Sequence, residues 1–183
     1  TTANYNTAVG HSSLYANTTG TFNTALGYYA AFYGTTASGI TAIGYQALQN
    51  NTIGGSNTAL AMQAMYGNTT GGQNTGLGYA ALYSNTTASS NTAVGYYSGF
   101  STTTGGPNVS VGIFSLQNNT TGSYNVAVGP YALYSNTTGT NNTAIGYNVN
   151  YSGSVSNITA VGFNTLVNNT ASRSEEHTSE LQS

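Results

Sequence analysis

The chain has 183 residues and only four charged side chains, one basic and three acidic, all lying between Arg173 and Glu180. A stretch of 172 residues without Lys, Arg, Asp or Glu has no means of neutralising phosphates, which excludes nucleic-acid binding and attraction to anionic lipid. The absence of Cys removes disulfides and thiolate metal sites, and no apolar run is long enough to cross a membrane as a helix.

Thr1 to Tyr5 match the last five positions of a 17-residue unit, so the chain is expected to open part-way through a repeat with both natural ends missing. Full copies begin at Asn6, Asn23, Ile40, Asn57, Asn74, Asn91, Asn108, Asn125 and Asn142, and then at Ile158, one residue early. A fixed short period predicts stacked coils, each too small to fold alone. At about 4.8 Å per step, ten coils make a rod roughly 45–50 Å long.

Within a copy, position 2 is Thr or Val and position 3 is small, as in Ala8, Ala25 and Ala42. Position 4 is aliphatic throughout: Val9, Leu26, Ile43, Leu60, Leu77, Val94, Val111, Val128, Ile145 and Val161. β-Branched residues concentrated in three positions predict a strand. Side chains alternate along a strand, yet positions 3 and 4 are both apolar. Burial on both faces resolves this. Position 4 is expected to fill the coil interior, while position 3 packs against another copy of the chain in a homotrimer or fibre.

Position 5 is Gly10, Gly27, Gly44, Gly78, Gly95, Gly112, Gly129, Gly146 or Gly162, with Ala61 as the exception. A glycine after each strand predicts a corner that a Cβ would obstruct; Ala61 implies a corner that is not fully left-handed, or one strained coil. Positions 6 to 10, as in Tyr79 to Tyr83, lack β-branching and favour helix formers. Five residues leave a second strand and a single helical turn both open, the composition leaning to the turn. Position 9 (Leu14, Leu48, Met65, Leu82, Leu116, Leu133, Leu166) is the second expected core residue.

Positions 11 to 15 read S-N-T-T-G or N-N-T-T-G, a turn composition. They carry N-x-[ST] acceptors at Asn17, Asn68, Asn85 and Asn136, the candidate glycosylation sites, with further triplets at Asn50, Asn118, Asn119 and Asn168. The final segment, Arg173 to Ser183, departs from the repeat and resembles a translated sequencing adapter. It is set apart as a non-native tail, leaving residues 1–172 as the repeat domain.

Stacking explains the neutrality. Like charges on successive coils repel by about 0.9 kcal/mol per step even in water. Asn and Thr can instead bond to their own copies above and below. Aromatics form columns in the same way, Tyr28 over Tyr45 and Tyr66 over Tyr83. His11, where Tyr is usual, reads as a member of such a column. With no carboxylate or thiol to orient it, there is no catalytic, metal or cofactor site. A T-x-T face of the kind that binds ice is missing from the strand, which runs Thr, Ala, aliphatic.

The N-T-A-[VIL]-G-x-x-A-L core with its N-T-T-G turn resembles the short repeats in head domains of trimeric autotransporter adhesins. It is closer still to the longer repeats of bacterial and phage tail-fibre-like surface proteins. The resemblance covers Thr1 to about Ser172, with Ala42-Ile43-Gly44 and Ala144-Ile145-Gly146 matching the strand-and-corner step. It implies a parallel β-roll or solenoid, commonly trimeric, on a cell or virion surface, and a strand for the second arm. The expected fold is therefore an all-β parallel solenoid of about ten coils. The expected role is a non-catalytic extracellular fibre, stalk or adhesin-head segment. A receptor- or glycan-binding fibre, using the loops at positions 11 to 17, is the first alternative, and an ice-binding solenoid the second.

Overall fold

The computed structural model describes residues 2–149, 153–166 and 176–178. Each coil contributes one three-residue strand: β1 (Thr7–Val9), β2 (Thr24–Leu26), β3 (Thr41–Ile43), β4 (Thr58–Leu60), β5 (Thr75–Leu77), β6 (Thr92–Val94), β7 (Val109–Val111), β8 (Val126–Val128), β9 (Thr143–Ile145) and β10 (Thr159–Val161). They pair parallel in sequence order, equivalent residue on equivalent residue, so that Thr7 faces Thr24 and Val9 faces Leu26. The result is a β-solenoid. An eleventh strand, β11 (Glu176–Thr178), continues the ladder with Thr159 opposite Glu176. It lies in the segment that the sequence reading had set apart from the fold.

Strand parity is the reverse of the sequence expectation. Position 3 points inward, with Ala25, Ala42, Ala59 and Ala93 fully buried, while position 4 points out. Val9 is 55% exposed, Leu26 46%, Leu60 45%, Ile145 41% and Val161 45%. Ile43, Leu77, Val94, Val111 and Val128 are half-buried on the same outer face. The strand begins one residue after an Asn whose side chain is also buried, as in Asn57, Asn74 and Asn142. An inward position 1 requires an inward position 3 and an outward position 4. The bore leaves little room at position 3: a Cβ added to Gly76 would sit 3.2 Å from Met65 Cγ.

Met65 belongs to the opposite wall. Leu48, Met65, Leu82, Leu116 and Leu133 at position 9 are buried in a column, and Leu166 packs against its end. Small residues on the strand and large ones opposite give a close-packed section from only two inward side chains per arm.

The second arm is neither strand nor helix. Its N–H groups bond three residues back, Ser13 to Gly10 and Asn17 to Leu14, giving consecutive tight turns. Positions 7 and 9 hold left-handed backbone, for example Gln46 (φ 57°) and Leu48 (φ 52°). Such a backbone turns some N–H and C=O groups along the rod axis, where they bond between coils: Leu48 N–H to Ala64 O (3.0 Å) and Gln46 N–H to Tyr28 O (2.9 Å). Helix propensity therefore gave way to inter-coil hydrogen bonding, because a helical turn would have spent those groups within its own coil.

The missing residue in the ninth copy is absorbed in the outward turn. Thr137 N–H reaches Ser154 Oγ seventeen residues on, whereas Thr140 N–H reaches Ser156 Oγ after sixteen. A loop can lose a residue without shifting the strand, so β9 and β10 remain in register.

Candidate functional site

Two columns of asparagine run through the bore. At position 1, the side-chain oxygen of each Asn accepts the backbone N–H of the next coil: Asn57 Oδ1 from Asn74 (2.9 Å), Asn74 Oδ1 from Asn91 (2.9 Å), Asn91 Oδ1 from Asn108 (2.8 Å). At position 12, amide bonds to amide. Asn68 Nδ2 donates to Asn51 Oδ1 and Asn85 Nδ2 to Asn68 Oδ1, both at 2.7 Å. A buried amide is stable only when its donors and acceptors are matched, and stacking identical residues matches them.

The position 12 column speaks against glycosylation at three of its four candidate sites. Asn68, Asn85 and Asn136 are fully buried, and their amide nitrogens donate within the coil to Gly71 O, Ala88 O and Gly139 O. Asn17 is half-buried and donates in the same way to Gly20 O. Asn68, Asn85 and Asn136 each spend both amide hydrogens, one on the carbonyl within the coil and one on the Asn Oδ1 of the preceding coil, so a sugar on any of these three and this coil are mutually exclusive, whereas Asn17 Nδ2 donates once. Of the remaining triplets, Asn119 is buried, Asn50 and Asn118 are half-buried, and Asn168 lies outside the described residues.

The nine glycines at position 5 have φ between +122° and +138°. Ala61 adopts φ +121°, so the corner is the same and this coil carries the strain.

On the outside, rings stack from coil to coil as expected. Tyr28 and Tyr45 lie 5.5 Å apart and Tyr66 and Tyr83 5.1 Å apart, each pair within 9° of parallel. His11 takes its place over Tyr28 at 5.2 Å. In these pairs the ring faces are turned toward one another, whereas Tyr96–Phe114 and Tyr131–Tyr147 meet edge to face. Stacking on a sugar needs a free face, which the ring faces inside the stacked pairs do not offer. The Tyr29 hydroxyl beside Tyr28 and the Tyr97 hydroxyl beside Tyr79 hold both phenols protonated above their usual range, and burial does so for Tyr83. A raised folded-state value means that stability is complete below the ordinary phenol range and is lost as pH climbs through it. Thermal melts are expected to be flat between about pH 5 and 9 and to fall above about pH 10.

The surface left without a function is the outer face of the sheet. Ten coils align one column of Thr or Val at position 2 and one of Val, Leu or Ile at position 4. The position 2 hydroxyls make no hydrogen bond within the described residues. Those at position 13 are consumed, Thr18 Oγ1 donating to Thr35 O and Thr69 Oγ1 to Thr86 O, each at 2.9 Å. Across the glycine corner the position 6 column adds Tyr45, Met62, Tyr96 and Ile113, all exposed. Solitary exposed apolar residues are ordinary, whereas an unbroken column of them over ten coils is not. Reading the sequence by hydrophobicity placed this column inside. The available contrary signal was Asn at position 1 in eight of ten copies, a polar residue recurring at a strand entry.

Among the described residues no three His, Cys, Asp or Glu side chains converge, and no helix is long and apolar enough to cross a membrane. Comparison with protein families, with characterised proteins and with solved structures yields no match.

Proposed function

We propose that this chain is a structural segment of an extracellular fibre, stalk or adhesin head on a cell or virion surface. In this reading it is non-catalytic and assembles with copies of itself through the outer face of its sheet. The observation that carries the reading is the aliphatic column at position 4. It is apolar, continuous and without a cover in the single chain. A strip about 45 Å long needs a width of only about 18 Å to reach the ~800 Å² per partner of a stable interface. Positions 2 and 4, with the column across the corner, present apolar surface on that scale. Burying it supplies a driving force that a neutral rod cannot draw from charge pairs. The resemblance to adhesin heads and tail fibres favours a trimer.

Sedimentation equilibrium tests this. The native chain is expected to sediment as a trimer or larger assembly. The double variant Leu60→Lys/Ile145→Lys, altered only at exposed positions, is expected to be monomeric with an unchanged circular-dichroism spectrum. A native chain that is monomeric at tens of micromolar would refute self-association.

One observation favours a second reading. Thr hydroxyls at position 2 and methyl groups at position 4 share one regular outward face, as an ice-binding surface requires, although it is T-x-[VIL] and not T-x-T. Thermal hysteresis of the native chain, lost in the same double variant, would support ice binding over assembly.

A further inference from the structure

The apolar interior is interrupted. One buried cluster runs from Leu14 to Ala93 and a second from Leu116 to Ala160. Between them the inward positions are held by Ser98, Gly99, Thr102, Ser110 and Ser115, all buried. Gly99 stands at position 9, where the preceding and following coils have Leu82 and Leu116. A Cβ placed on it would meet Leu82 Cδ2 at 3.1 Å, Ser110 Oγ at 3.3 Å and Thr102 Oγ1 at 3.6 Å. The space a leucine fills elsewhere is thus bordered by two hydroxyls.

Three further departures fall in the same coils. Ser98 Oγ bonds to Ser110 Oγ (2.8 Å), to Ser110 O (2.9 Å) and to Ser115 Oγ (3.0 Å), where other coils pack Ala on Ala. Thr102 replaces Asn at position 12, so the amide column stops and Asn85 Oδ1 has no partner. Pro107 has no N–H, so it cannot give the bond that Ser90 donates to Gly72 O and Tyr124 to Pro107 O. The second coil also departs twice, with Ala31 at position 9 and Gly34 at position 12, but its Ala25, Ala30 and Ala31 stay within the first apolar cluster. Between the two clusters the departures fall on two consecutive coils.

In a linear array each coil is held by its own packing and by its two neighbours, so the weakest junction sets where the array divides. We propose that the sixth and seventh coils form a built-in breakpoint. The rod consists of two cooperative units, the first ending near Ala93 and the second beginning near Leu116, and under load or heat it opens first between them. A fibre segment with such a junction yields at one place and keeps the remaining coils folded. The division itself does not depend on the assembly proposed above.

Native-state hydrogen exchange on the full chain tests this. Gly99 and Ser101 donate across the junction to Ser115 O and Gln117 O, both at 2.9 Å. Met65 and Gly67 make the equivalent bonds to Ala81 O and Tyr83 O two coils earlier, at 2.9 and 2.8 Å. Gly99 and Ser101 are expected to exchange at least about tenfold faster than Met65 and Gly67. Ser98→Ala/Gly99→Leu should bring the two pairs together; the φ of +60° at Gly99 is close to the +53° and +48° of Leu82 and Leu116, so the backbone admits leucine. If that variant fails to fold, Thr102→Asn, which gives Asn85 Oδ1 a donor, should slow the same amides. Ala47→Ser/Leu48→Gly should create a second fast junction lower in the rod. Equal protection at both places in the native chain, or no response to any of these changes, would overturn the proposal.

Discussion

Asn68→Asp is expected to cost about 3–5 kcal/mol at pH 7, the range for a change that leaves an uncompensated charge buried. Asn68 is wholly buried, donates to Asn51 Oδ1 at 2.7 Å and to Gly71 O at 2.9 Å, and accepts from Asn85 Nδ2 at 2.7 Å. Aspartate has the same shape and keeps the accepted bond. It loses both donated ones and sets an anion against two carbonyl-type oxygens, in a stretch of 172 residues that contains no Lys or Arg. Burial and those oxygens disfavour the charged form, so the new carboxyl should titrate above the ~3.9 of an exposed aspartate. The sign follows: the penalty is full above the folded-state value and relaxes as pH falls through it, because a protonated carboxyl can again donate one bond. Melting the variant at pH 7 and at pH 3 should show partial recovery at the lower pH. Asn68→Ala, which leaves the same partners orphaned without adding charge, should lose about 2–3 kcal/mol at both. A loss within about 0.5 kcal/mol at pH 7 would mean that the amide column is not closed to water.

The amide column also shows what the sequence could and could not convey. Register was legible because the repeat length holds at seventeen from Asn6 to Asn142. Copies of one length can stack equivalent residue on equivalent residue, and β1 to β9 do so. The corner was legible from Gly10, Gly27 and their equivalents, since few other residues tolerate φ near +130°. The interior was misassigned because hydrophobicity is a poor guide in a bore this narrow. Val9 and Ala8 are both apolar, and only the size limit set by the Leu column opposite, together with inward Asn at position 1, decides which of them faces in. The same error made Asn68 and Asn85 read as surface acceptors. In an isolated turn they would be exposed; in a stack the neighbouring coils cover them. Positions 6 to 10 were illegible for a related reason. Their conformation is dictated by bonds to other coils, Leu48 to Ala64 and Leu116 to Ala132, and local propensity carries no trace of those partners. The unassigned outer face follows from the inversion. Once position 4 turns outward, the apolar column that was expected to stabilise one coil becomes surface in search of a cover.

The corner supplies the second large effect. Gly78→Ala is expected to cost about 3 kcal/mol, and Ala61→Gly to stabilise by about 1 kcal/mol. At Gly78, φ is +136° and an added Cβ would lie 2.5 Å from Gly95 O and 2.7 Å from Gly95 C. Neither atom is free to retreat. Gly78 N–H is bound to Leu60 O and Gly95 N–H to Leu77 O, at 2.9 and 2.8 Å, so moving one corner loosens the strand ladder on both sides. Ala61 shows that a single corner can carry a methyl group. Its φ of +121° is lower than that of any glycine in the column, and its N–H still reaches Ile43 O at 2.8 Å. The corners directly above and below it, Gly44 and Gly78, are glycines. Ala61→Gly releases about 1–3 kcal/mol of backbone strain, less the 0.5–1 kcal/mol that glycine gains in unfolded-state freedom. Since Ala61 and Gly78 are stacked neighbours, their effects should not add. Gly78→Ala in the native background should be worse than Gly78→Ala combined with Ala61→Gly by more than the benefit of Ala61→Gly alone, because two adjacent methyl groups leave no intact corner between them. Urea titration of the four proteins at one pH measures the coupling. Additive values would show that each corner relaxes within its own coil, and the inter-coil ladder would then not be what fixes the corner's geometry.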